Sequence, residues 1–161
     1  VTHDQEEALE VADCIVVMNR GRIEQVGAPD EVFQNPSTEF AMKFLGDVNV
    51  FHGRMQNQAP VFTGDPPGEG PDVRMLVRPH DLAVRTAPGP GLSIPARVYR
   101  VMTAGPLVKI ELLDDAQRLV QVHVPHETYR AAPVQAGQTV YLVPKESRLY
   151  GQDGDRMEYV I

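Results

Sequence analysis

Strict two-residue alternation constrains the fold of most of this chain. Ile94, Ala96 and Val98 alternate with Arg97 and Tyr99, Val108, Ile110 and Leu112 with Lys109 and Glu111, and Val120, Val122 and Val124 with Gln121 and His123. Successive strand side chains point to opposite faces, so each stretch predicts a strand with one apolar and one wetted face. Residues 73–77 and 139–143 show the same pattern. Gly/Pro turns separate these stretches at short intervals, which suggests a small barrel or a sandwich. Within this part only residues 126–132 read as a helical turn. Residues 64–71 and 87–91 are Pro/Gly-rich and predict mobile loops.

The alternation starts near Val48, and charge changes there as well. Residues 1–50 carry 10 acids and 3 bases, whereas residues 51–161 carry 12 of each, so the formal charge of −7 lies wholly in the first part. Of 14 prolines only Pro29 and Pro36 precede residue 51. A boundary between residues 46 and 47 is therefore expected, and 161 residues suffice for one small domain plus a fragment. Neither part has the basic surplus of a phosphate-backbone binder, and Tyr99, Tyr129, Tyr141, Tyr150 and Tyr159 are scattered, which argues against nucleic acid. The single Cys14 excludes an internal disulfide framework and fits the cytosol. No apolar run approaches the roughly 20 residues of a spanning helix, so no direct membrane insertion is expected.

Before the boundary the period is helical. Asp4 can cap a helix starting at Gln5, and Glu7, three residues on, can reach back to the cap amide as in a capping box. Ala8, Leu9, Val11 and Ala12 then predict a buried side opposite Glu6, Glu7 and Glu10. Residues 14–18 read as a buried strand, Asn19-Arg20-Gly21 as a hairpin turn using positive φ at Gly21, and residues 22–26 as the partner strand. Pro29 suits the first turn of a helix to about Asn35, and Ser37 can cap another whose Phe40, Ala41, Phe44 and Leu45 form one apolar face ending at Gly46. Val32 and Phe33 are expected to pack on Phe40 and Phe44.

His3 stands at the mouth of this capped helix, near free backbone amides. An imidazole there is either an ordinary turn residue or a group placed to meet an anion such as phosphate. A phosphate-cradling P-loop needs a Gly-rich run ending in Gly-Lys-Ser/Thr, and none occurs in these residues. His52, His123 and His126 lack metal-ligand spacing with Cys14 or with one another, so no metal is expected.

Residues 1–23, including Val1-Thr2-His3-Asp4-Gln5-Glu6-Glu7 and Ala12 to Ile23, resemble the switch-histidine region of ABC transporter ATP-binding subunits. The resemblance implies that His3 contacts the ATP γ-phosphate in a parent protein, with ATP, Mg²⁺, the cradling lysine and the catalytic carboxylate held by a part upstream. The chain then reads as a C-terminal piece that does not hydrolyse ATP and binds no cofactor by itself. Phe44-Leu45-Gly46-Asp47-Val48-Asn49-Val50-Phe51-His52-Gly53 resembles the junction of sulfate/thiosulfate importer subunits. Met75-Leu76-Val77-Arg78-Pro79-His80-Asp81-Leu82 is similar to a strand-turn of the TOBE accessory domain, an OB-like barrel.

The resemblance implies a mainly β fold, with residues 1–46 as a small α+β remnant of the ATPase domain and residues 47–161 as the OB-like TOBE barrel. It implies an ATP-hydrolysing importer subunit for sulfate or thiosulfate, homodimeric, cytoplasmic and peripheral on the inner face of the membrane through permease subunits. Residues 14–18 and 23–26 would be interior in the intact ATPase, and their exposed apolar surface is expected to recruit a second copy of this chain. Arg78 and His80 could form an anion site. Otherwise Arg78 makes a turn-stabilising salt link and His80 is solvated. The alternative for the whole chain is a stand-alone regulatory module recognising a small oxyanion or a partner protein.

Overall fold

In the computed structural model, which describes residues 1–56, 59–62 and 70–157, helix α1 (Gln5–Val11) starts where the cap signal places it. Asp4 Oδ1 accepts from the Glu7 amide at 3.0 Å. The reciprocal arm differs from the expected capping box. The Asp4 amide donates to the Thr2 hydroxyl at 3.0 Å, and that hydroxyl donates to Glu7 Oε2 at 3.3 Å. Thr2 thus relays what Glu7 was expected to do directly. Among the helix residues none is fully buried, and Val11, assigned above to the buried side, is 75% exposed.

Strands β1 (Ile15–Asn19) and β2 (Arg22–Gly27) form an antiparallel hairpin. Its turn has φ of 49° at Arg20 and 79° at Gly21, the doubly positive pattern whose twist matches a hairpin. Only Ile15 and Val17 are buried in β1, so the run 14–18 is covered on one face alone. Helices α2 (Pro29–Gln34) and α3 (Glu39–Phe44) follow. Thr38, not Ser37, caps α3 by accepting from the Ala41 amide at 3.2 Å, because the Ser37 amide is drawn instead to Gln25 Oε1 at 2.8 Å. Ile15, Val17, Val32, Ala41 and Leu45 form a cluster edged by Phe33, Phe40 and Phe44, with the Phe40 and Phe44 rings stacked at 5.6 Å.

The rest of the described chain is two five-stranded antiparallel sheets. The first strands are β3 (Asn49–Gln56), β4 (Ala59–Val61), β5 (Asp72–Val77), β6 (Leu82–Arg85), β7 (Ile94–Met102) and β8 (Val108–Asp114). They are joined by β9 (Leu119–Val124), β10 (Thr139–Pro144), β11 (Arg148–Tyr150) and β12 (Arg156–Met157), with helix α4 (His126–Ala131) between β9 and β10. One sheet has the order β6-β10-β7-β8-β9, the other β12-β11-β5-β3-β4. Both inner faces meet in one cluster that includes Phe51, Met75, Leu82, Val98, Leu112, Val122 and Leu142. The fold is mainly β, a curled half-barrel of the OB-like type. The loop expected at 64–71 falls largely on residues 63–69, outside the described residues, as does Tyr159.

Two details correct the simple alternation. Glu111 was assigned to a wetted face, yet it is 8% exposed, because the Arg100 guanidinium lies along it with both bonds at 3.1 Å. The register shift between Val98 and Arg100 turns Arg100 toward its partner. Edge strand β9 is closed by a side chain: Asn49 Nδ2 donates to the Gln121 carbonyl at 2.7 Å and Asn49 Oδ1 accepts from the Gln121 amide at 2.8 Å. The amide of Asn49 imitates a strand residue and ties β3 of one sheet to the exposed ladder of the other.

Candidate functional site

His3 lies in the turn ahead of α1 and is exposed. The Asp4 cap and the Thr2 relay fix the backbone on either side of it, so the imidazole stands outward from an ordered turn. Arg78 and His80 flank Pro79 at a 3₁₀ turn (Pro79–Asp81) between β5 and β6. Both line a cavity of about 350 Å³ with Phe33, Gln34, Glu146 and Arg148. Both also line a second cavity of about 450 Å³ under α1, where Glu6, Glu10, Asp47 and His123 face them.

The pair shares a cavity, but its members differ in kind. Arg78 is 7% exposed. Its guanidinium carbon sits 3.8 Å from the centre of the Phe33 ring, and Nη2 donates to the Phe33 carbonyl at 2.9 Å. Burial pushes its pKa down, against an upward pull from Asp81. His80 is exposed, with Nε2 3.7 Å from Asp81 Oδ1. An anion entering here meets the His80 imidazole freely, but it must compete with a carbonyl and a ring for Arg78.

Sequence reasoning missed Arg148 and Tyr150. Arg148 Nη2 donates to the Gln34 carbonyl at 2.8 Å, and the buried Tyr150 hydroxyl donates to the Pro36 carbonyl at 3.2 Å. Each contact joins residues 114 apart in sequence, so no local pattern signals it. Burial, the largest cause, holds the Tyr150 phenol up at about 12. Among the described residues no three His, Cys, Asp or Glu side chains converge as a metal centre, and Cys14 is exposed and free. No helix among them is long and apolar enough to cross a membrane.

His52 and His123 titrate below the ordinary histidine value, chiefly through desolvation. For His52, Arg118 and Arg74 add to the depression; for His123, Lys109 does so while Asp47 opposes it. The unfolded chain therefore binds protons more readily at these sites. Their contribution to stability is complete above the unfolded value of about 6.5 and is lost as pH falls through the lower folded values. Denaturant midpoints should fall between pH 7.5 and 5, and His52→Gln with His123→Gln should flatten that dependence. A double variant with the wild-type slope would remove both histidines from the acid response.

Residues 88–145 match a TOBE-like domain. A sulfate/thiosulfate import ATP-binding protein of Bacillus cereus (strain ATCC 10987 / NRS 248) is 42% identical over 159 residues, covering 93% of this chain and 44% of that protein. Its counterpart in Ralstonia nicotianae is 41% identical over 168 residues, covering 94% and 45%. The one in Synechococcus elongatus is 42% identical over 151 residues, covering 93% and 42%. This chain thus spans less than half the length of these relatives. Among solved structures, a cytoplasmic molybdate-binding protein superposes with a TM-score of 0.50 at 16% identity, covering 63% of this chain and 94% of that one, which speaks to the fold alone.

Proposed function

We propose that this chain, a homologue over 93% of its length of the sulfate/thiosulfate import ATP-binding proteins and the bearer of a TOBE-like domain at residues 88–145, is part of the energy-coupling subunit of an ABC importer. The single observation that carries this reading is the extent of the similarity. It takes in more of the chain than the barrel alone, so the helical first part and the barrel are accounted for together. In this reading the parent protein hydrolyses ATP with Mg²⁺ and moves sulfate or thiosulfate. His3 meets the γ-phosphate, while residues 47–161 form the accessory domain. The subunit sits on the cytoplasmic side, attached to membrane permease subunits.

The chain's own residues fit part of that nucleotide chemistry. His3 is exposed on a fixed turn and can donate to or accept from a phosphate oxygen. A neutral hydrogen bond is worth about 1 kcal/mol net, against roughly 8 kcal/mol for micromolar binding. The chain alone should therefore bind ATP no tighter than about 100 µM. A stand-alone oxyanion module is the less favoured reading, because it leaves the first part without a role and because Arg78 is already engaged by Phe33. Titration calorimetry with ATP, sulfate and molybdate tests both. Silence with all three is expected, and saturable sulfate or molybdate binding would favour the module.

A second copy is the proposed partner of the hairpin. Val16 faces Val26 and Met18 faces Ile23 across β1 and β2, and all four are exposed, Ile23 at 62%. A two-fold arrangement lets each such face cover its counterpart. Light scattering should report a dimer that Met18→Lys with Ile23→Lys converts to monomer. A wild-type monomer with fast amide exchange in β1 and β2 would contradict it.

A further inference from the structure

The last carbonyls of a helix have no partner within it and must find one elsewhere. At the end of α2 four consecutive carbonyls, those of residues 33–36, each accept from a side chain. Arg78 Nη2 donates to Phe33 at 2.9 Å, Arg148 Nη2 to Gln34 at 2.8 Å, Gln25 Nε2 to Asn35 at 2.9 Å and the Tyr150 hydroxyl to Pro36 at 3.2 Å. Three donors come from the barrel and one from the hairpin. Two are guanidinium groups at the negative end of the helix, where cations are favoured. Arg78 also stacks on the Phe33 ring at 3.8 Å.

We propose that residues 33–36 are a latch through which the barrel grips the helical first part, with Arg78, Arg148 and Tyr150 as its jaws. Its placement gives it a consequence beyond packing. Helix α1, with the His3 turn at its head, packs on α2, and Gln25 anchors the hairpin to one carbonyl of the same run, that of Asn35. A displacement of the His3 turn reaches the barrel through this run, and the covalent link at Gly46 lies beside Arg78, whose Nη1 is 3.0 Å from where a Cβ would stand. That transmission rests on the reading of His3 as a phosphate-contacting residue, whereas the latch itself does not.

Native-state amide exchange on the 161-residue chain tests the latch. The reporters are the amides of Val32, Asn35, Met42 and Leu45, bonded within the helices, against those of β7, β8 and β9. Tyr150→Phe keeps the buried ring and removes only the donor, and should speed exchange of the helical reporters about fivefold. Arg78→Met should speed it tenfold or more, because a charge-assisted bond and a ring contact go together. The sheet amides should hold their wild-type protection in both. Unchanged helical exchange in Tyr150→Phe, or sheet and helix amides rising in step, would overturn the latch. If Arg78→Met does not fold, Tyr150→Phe still decides the question. A null effect of His3→Ala on hydrolysis by the proposed parent protein would remove the nucleotide link and leave the latch standing, so the two failures are distinguishable.

Discussion

A chain that begins at Val48 should unfold in one cooperative transition with its tyrosine near-ultraviolet dichroism intact, but about 3–6 kcal/mol more easily than the 161-residue chain. It should fold because the large cluster of Phe51, Met75, Leu82, Val98, Leu112, Val122 and Leu142 is built from strands β3 to β11, all beyond residue 48. The loss comes from the smaller cluster in which Met42 of α3 covers Leu76 and Tyr150. Without α3, those two side chains regain water at about 1.5–3 kcal/mol apiece. Arg74 also loses its 2.8 Å contact with Glu39. A truncated chain without near-ultraviolet dichroism would mean that α3 is an integral wall of the barrel and that the boundary proposed between residues 46 and 47 falls too late.

What the sequence made legible follows from where the information is local. Alternation at 94–98, 108–112 and 120–124 placed β7, β8 and β9 because a strand with one wet face records its own orientation in every second residue. The turn at Arg20-Gly21 was legible because few residues tolerate positive φ. Strands β3, β4, β6, β11 and β12 were not individually named. β11 and β12 have three and two residues, too few to show a period, and Gly53 interrupts β3 where a Cβ would meet the Val61 carbonyl oxygen at 2.4 Å. Burial of Glu111 was invisible because it depends on the bulge that brings Arg100 across. Of the candidate sites, the His3 turn was legible through its capping residues. The engagement of Arg78 by Phe33 was not, since 45 residues separate them and only the tertiary fold brings ring and guanidinium together.

The largest functional effect is expected at His3, proposed above to meet the γ-phosphate in the parent protein. A contact made to the transferred phosphoryl group is worth most when charge develops on it, so its loss falls on turnover rather than on ground-state binding. His3 holds no structural hydrogen bond in the capping network, which runs through Thr2, Asp4 and Glu7, so the substitution should leave the fold as it is. The direct measurement is steady-state ATP hydrolysis by the proposed parent subunit, assembled with the permease subunits that reading calls for, alongside nucleotide binding, for wild type and His3→Ala. Turnover should fall at least about a hundredfold, with ATP affinity held within about threefold. Turnover equal to wild type would contradict it and take His3 out of the mechanism.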